Sequence, residues 1–199
     1  LGADRIIAAA ETYLGLVEVG VGLIPAGGGC KEMVRRWDER LKLGPFPKVQ
    51  KAFETIAFAK VSTSAKEGLE IGYLDRQDRI AVSRDHLLSE ARRFVLEMGR
   101  DYHPPTPRGD ILLPGRGGYY ALVSAIDGYR LKGDITEHDA VIGKKLARIL
   151  TGGDRPSLGR VSEQDLLDLE REVFLSLVGT AKTQESMQQM LLTGRPLRN

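Results

Sequence analysis

Apolar positions recur every three to four residues through most of this chain, and glycine, proline and capping residues mark the gaps between the stripes. Met33, Val34, Trp37 and Leu41 predict a helix over residues 30–43, stopped by Gly44-Pro45. Val49, Phe53, Ile56 and Ala57 share one face of a second helix that begins near Pro47. Ser64 with Glu67 three positions on has capping-box spacing and predicts a short helix to about Ile71. Leu87, Leu88, Ala91, Phe94, Val95 and Met98 form a clean stripe ended by Gly99. Shorter runs rich in Ile, Val, Leu and Tyr, at residues 3–11, 12–19, 60–62 and 79–82, read as strands.

The segment Tyr102-His103-Pro104-Pro105-Thr106-Pro107-Arg108-Gly109 is incompatible with a helix. Four helical patterns follow it. Tyr119, Leu122, Val123 and Ile126 mark the first. Thr136 caps the second with Asp139, and Ile142, Leu146, Ile149 and Leu150 face inward. Ser162 with Asp165 opens the third, which uses Leu166, Leu169, Val173, Phe174 and Leu177. The fourth runs from Ala181 through Met187, Met190 and Leu191 to Gly194, its methionines read as core. The pattern predicts a mixed α/β part over 1–100, a Pro/Gly-rich connection over 101–118 and a helical region over 119–199, with no strand beyond residue 115.

Chemistry concentrates in residues 14–31, LGLVEVGVGLIPAGGGCK, where Glu18 is the one charge before Lys31 among six glycines and Pro25. A carboxylate in apolar surroundings is costly to ionise, and such a group suits general acid or base work. The same pattern fits an edge-strand glutamate whose head reaches water, and the local sequence does not choose between them. Gly27-Gly28-Gly29 leads into the helix of Met33 and Trp37, so the turn is expected to offer free N–H donors at a positive dipole end. A dinucleotide fingerprint fails, because Gly20-Val21-Gly22 is followed by Leu23-Ile24-Pro25, with Pro where the third glycine belongs. No GxxxxGK[ST] occurs either.

These residues resemble the second half of a crotonase (enoyl-CoA hydratase/isomerase) active site. The resemblance is strongest to the crotonase part of bacterial bifunctional 3-hydroxyacyl-CoA dehydrogenase/enoyl-CoA hydratases of fatty-acid β-oxidation. It continues through AFETIAFAKVSTSAKEGLEIGYL, FLSLVGTAKTQ and MLLTGRPLRN, and so covers nearly the whole chain. It implies a partial crotonase-like ββα spiral over 1–100 followed by an α-helical C-terminal lobe. In such proteins a first glutamate and the oxyanion hole come from earlier residues, and the NAD-binding dehydrogenase part lies N-terminal. The chain opens on Leu1-Gly2 without Met or a signal-peptide pattern, one turn before a strand, which reads as a fragment.

The resemblance implies an acyl-CoA thioester substrate. In hydratases two glutamates hold the water that adds across a 2-enoyl double bond, and Glu18 matches the second of them. In isomerases the same position shuttles the proton alone. Ala26 and Gly27 are the backbone positions implied to hold water and thioester. Two departures stand out: Val17 where the family usually has Pro, and Ala26 where it usually has Gly. Alanine keeps the N–H, so the role survives if its φ stays negative. Arg195 and Arg198 are the implied CoA contacts, with Lys182 behind them; a solvated basic tail is the competing reading. The implied partners are the missing N-terminal portion, a homo-oligomer or a thiolase, and a scaffold that docks the dehydrogenase part is the non-catalytic alternative.

Composition narrows this little. The 199 residues are 42% hydrophobic and 28% charged, with a net charge of +2, which gives no footing for a nucleic-acid or membrane partner. The single cysteine, Cys30, excludes an internal disulfide and fits a reducing cytoplasm. Cys30 reads as packing rather than a nucleophile. His86, His103 and His138 read as solvated, and no metal-ligand set is proposed. The chain itself is expected to need no cofactor.

Overall fold

The computed structural model describes residues 1–197 of the chain. It is a mixed α/β protein, rich in helix, with eight α-helices and short strands among the described residues. None of these helices is long and apolar enough to cross a membrane. Contacts divide the chain into two units. One is Leu1–Gly15 with Val61–Pro107; the other is Leu16–Lys60 with the residues from Arg108 onward. Residues 16–60 therefore pack with the helices that follow the proline segment.

In the first unit, β1 (Ile7–Ala9) pairs in parallel with β4 (Arg79–Ala81), Ile7 opposite Arg79 and Ala9 opposite Ala81. β2 (Leu14–Gly15) and β3 (Val61–Ser62) form a two-residue antiparallel ladder. The Ser62 hydroxyl accepts from the Leu14 N–H at 3.0 Å. Ala8, Ala65 and Leu74 make a small core with Ile6, Leu14 and Leu69 against it. α3 (Ala65–Glu70) starts where expected, and Ser64 accepts from the Glu67 N–H at 3.1 Å. The Glu67 carboxylate turns instead to Thr63, taking its N–H and hydroxyl. In α4 (Leu87–Met98) only Phe94 is buried, with the Arg79 guanidinium 3.9 Å from its ring centroid. Of the rest of the apolar stripe read from the sequence, Leu87, Ala91 and Met98 are half-buried, and Leu88 and Val95 are exposed.

The second unit is helical. α1 (Gly29–Arg40) and α2 (Pro45–Ala57) pack on each other and on α6 (Glu137–Leu150), while α5 (Gly115–Lys132) lies along α6. α7 (Glu163–Val178) contacts α1, α6 and α8 (Ala181–Thr193). Met33, Val49, Ile56, Leu146, Ile149, Leu150, Leu166 and Leu177 fill its core, as the periodicity predicts. Both capping boxes form, at Thr136 with Asp139 and at Ser162 with Asp165. α8 departs from expectation. Thr183 and Ser186, not the methionines, make its buried face.

A strand does occur beyond residue 115. β6 (Gly159–Val161) pairs antiparallel with β5 (Ile111–Leu113), burying Ile111, Leu113 and Val161. Just outside that ladder, the Glu163 N–H donates to the Arg108 carbonyl at 2.9 Å, and the Arg108 N–H donates to the Glu163 carboxylate at 3.0 Å. Three residues are too few to register as alternation, and Arg108 and Gly109 belong to the proline segment.

Candidate functional site

The strand expected over residues 12–19 stops at Gly15. Glu18 instead opens a 3₁₀ turn, Glu18–Val21, closed by Gly22 in the left-handed region at φ 82°. The Glu18 carbonyl accepts from the Leu23 N–H at 3.0 Å. Its side chain is half-buried, with Oε2 shielded from solvent and without a hydrogen-bond partner. Glu18 is therefore not on a strand edge. A buried carboxylate oxygen with no partner is costly, and its presence calls for an explanation.

Glu18 lines a cleft of about 690 Å³ together with Ile24, Ala26, Gly27 and Gly28. The opposite wall is α7, through Gln164, Leu167, Arg171, Phe174 and Leu175. The predicted acid and both predicted backbone positions thus share one cavity. Among the described residues Ala59 is the one non-glycine with positive φ, so Ala26 meets the condition set for its N–H. Gly28 has φ 89°, a conformation that strains any side-chain-bearing residue.

The glycine turn is not a set of free donors. The fully buried Glu170 carboxylate of α7 accepts from the Gly28 N–H at 2.8 Å and the Lys31 N–H at 2.6 Å. Burial pushes the Glu170 carboxyl above its ordinary range, against the pull of the Lys31, Gly28 and Cys30 amides and the Lys31 charge. The Lys31 ammonium itself pairs with Glu32 and, at 3.0 Å, with Glu163. Sequence reading missed Glu170 because it sits on a buried helix face, 142 positions from Gly28. The one signal was a carboxylate one turn from Leu166 and Val173 on the inward stripe.

Cys30 is fully buried, and its thiol is pushed well up by burial, then by the charges of Glu170 and Glu18. That keeps it a thiol and fits packing, not nucleophilic chemistry. His138 is corrected. It is buried, and its Nε2 lies 3.1 Å from the Thr183 hydroxyl. Burial, then Lys182, holds its pKa below the ordinary value, with Asp139 opposing. His86 and His103 are exposed, as expected.

Arg195 is exposed and does not line the Glu18 cleft. Arg198 lies outside the described residues. The basic residue that lines the cleft is Arg171, which the sequence did not single out. Across the Glu18 turn, Val19, Gly20 and Gly22 line a second, apolar cavity of about 420 Å³ with Phe53, Ile126, His138 and Ile142. The Gly20-Val21-Gly22 run sits in the 3₁₀ turn, not between a strand and a helix, so its residues do not fit a nicotinamide dinucleotide.

No protein-family model matches the chain. It is 47% identical over 201 residues to the probable 3-hydroxyacyl-CoA dehydrogenase of Bacillus subtilis (strain 168), covering 100% of this chain and 25% of that protein. It is 26% identical over 191 residues to the putative fatty acid oxidation complex trifunctional enzyme of Rickettsia prowazekii (strain Madrid E). The protein of the same name from Rickettsia felis (strain ATCC VR-1525 / URRWXCal2) is 28% identical over 192 residues. Both of these matches cover 96% of this chain and 23% of the relative. The chain therefore spans about a quarter of the length of the curated relatives it matches, and it is similar to a segment common to proteins named for 3-hydroxyacyl-CoA dehydrogenation and fatty acid oxidation.

Proposed function

We propose that this chain is the later half of a crotonase-like unit in a fatty-acid oxidation enzyme, and that the unit hydrates 2-enoyl-CoA thioesters with Glu18 as acid–base group. The observation that carries the reading is the shared cleft: Glu18, with a shielded and unpartnered carboxylate oxygen, faces the same cavity as Ala26 and Gly27. Names given to the relatives support the substrate class. In the hydration direction water adds across the C2–C3 bond. Its oxygen bonds to C3 as the partner glutamate takes up the proton it loses, the C2–C3 double-bond electrons move into the enolate, and Glu18 delivers a proton to C2. Backbone N–H groups near the thioester oxygen stabilise the enolate that forms on the way. The partner glutamate and the oxyanion donors would come from other residues of the longer polypeptide.

Arg171 is the stronger candidate for a CoA phosphate or the thioester end of the substrate, ahead of Arg195, because it lines the cleft. The same reading implies a cytoplasmic enzyme that works within a larger assembly, with a thiolase or further copies as partners. Dehydrogenation through NAD belongs in this reading to residues outside the chain.

The test is Glu18→Gln in the polypeptide at its natural length, followed by the absorbance loss of crotonyl-CoA on hydration. Loss of a positioned acid or base is expected to lower the rate by roughly 10²–10⁴-fold while acyl-CoA still binds. Asp101→Asn in the proline segment is the control and keeps the rate. Wild-type hydration by Glu18→Gln overturns the reading and favours the scaffold. Loss of hydration with 3-enoyl to 2-enoyl isomerisation intact overturns the two-glutamate scheme.

A further inference from the structure

We propose that Glu170 positions the glycine turn for Glu18 by binding the N–H groups of Gly28 and Lys31, which leaves those of Ala26 and Gly27 for the substrate; this rests on the reading of Glu18 as the acid–base group. Both Glu170 oxygens are used, at 2.8 Å to Gly28 and 2.6 Å to Lys31, as expected of an ionised carboxylate. α1 has no side-chain cap of its own, because its N-cap is Gly28. A helix start in this state normally takes its acceptor from a Ser, Thr, Asp or Asn at the N-cap or from water. Here the acceptor arrives from another helix.

That helix is also the far wall of the cleft. Leu167, Arg171 and Phe174 fall three before, one after and four after Glu170, on the neighbouring strip of α7. One carboxylate therefore fixes the distance between the wall and the turn that carries Ala26 and Gly27. No hydrogen bond engages the N–H of Ala26 or Gly27 among the described residues. A fully buried carboxylate costs stability, and burial raises the Glu170 pKa accordingly. A neutral amide of the same shape would avoid burying a charge but would set its own N–H against one of these two N–H groups. The arrangement gives up stability for placement.

The experiment uses Glu170→Gln and Glu170→Asp in the polypeptide at its natural length, each also combined with Glu18→Gln. Glu170→Gln is expected to fold, to lose about tenfold or more in kcat, and to keep KM for crotonyl-CoA within about twofold. In the Glu18→Gln background it is expected to add little further loss, because both residues serve one step. Glu170→Asp keeps the charge but shortens the reach, and is expected to lose kcat with folding intact. Wild-type kcat in either variant overturns the proposal, as does an undiminished effect in the Glu18→Gln background. Failure of both variants to fold also overturns it, since Glu170 would then serve the fold. If Glu18→Gln itself hydrates normally, the reading of Glu18 falls first; if it is inactive while Glu170→Gln is fully active, only this proposal falls.

Discussion

The hydroxyl of Thr183 donates to the carbonyl of Gly22 at 2.8 Å, across 161 positions of sequence. A hydroxyl has one hydrogen to give, so the same oxygen accepts from His138 Nε2 at 3.1 Å, which fixes the tautomer with the proton on Nε2. Thr183 thereby ties α6 and α8 to the end of the turn that carries Glu18. Thr183→Val keeps the shape and removes both bonds, leaving a buried carbonyl and a buried N–H unpaired. It is expected to lower stability by about 1–3 kcal/mol. Thr183→Ser keeps the hydroxyl and is expected to fall between the two. Urea midpoints decide it; a Thr183→Val midpoint equal to wild type removes the relay from any account of the turn.

His138 makes stability depend on pH. Its native pKa is lowered by burial and by Lys182. Between that lowered value and the ordinary one of about 6.5, the unfolded chain binds more protons than the native one. Stability therefore rises with pH through this window and is complete above it. Glu170, raised by burial, acts with the opposite sign above the ordinary carboxylate range. A difference between variants separates the two. His138→Gln is expected to flatten the acid side of the stability profile, measured by urea unfolding from pH 5 to pH 8. An unchanged slope refutes the assignment.

Helix periodicity made most of the second unit legible, because the stripes of α1, α2, α6 and α7 are also its buried faces. It was only partly borne out for α4, where Phe94 is buried, Leu87, Ala91 and Met98 are half-buried, and Leu88 and Val95 stay exposed. It misled for α8, where two small hydroxyl residues face inward. Periodicity reports which face is apolar and is silent on what packs against it. The cleft was half legible. Glu18, Ala26 and Gly27 lie within nine residues of one another, so local reasoning could group them. Glu170, Arg171 and the His138–Thr183 pair reach the turn only through tertiary packing. No spacing in the sequence encodes that.

Cys30 tests the burial of the glycine turn without any assay of activity. Its thiol has no exposed surface and is held protonated by burial and by the charges of Glu170 and Glu18. Attack on a disulfide reagent needs a thiolate and an open path, so the reaction must wait for local unfolding. At pH 8 Cys30 is expected to react at least about a hundredfold more slowly in the native chain than in urea. The chain has one cysteine, so the readout has a single source. Rapid native reaction with a chromogenic disulfide shows that α1 opens at its first turn.

Exposed apolar side chains in the first unit give the last prediction. Val82 is 89% exposed and Leu88 83%, with Val95 and Leu96 both above 60% on α4. Scattered apolar residues are ordinary on a surface, but Leu88 and Val95, seven positions apart, fall on one strip of one helix. The parallel pair of β1 and β4 has two strands among the described residues, too few for independent stability without cover. Taken alone, the 199-residue chain is therefore expected to associate at micromolar concentration and to bind a hydrophobic dye. Light scattering and dye fluorescence measure the two effects. Val82→Lys with Leu88→Lys is expected to reduce both, while leaving the far-ultraviolet circular dichroism of the helices unchanged. A monodisperse monomer that binds no dye refutes this, and would mean that the first unit covers itself.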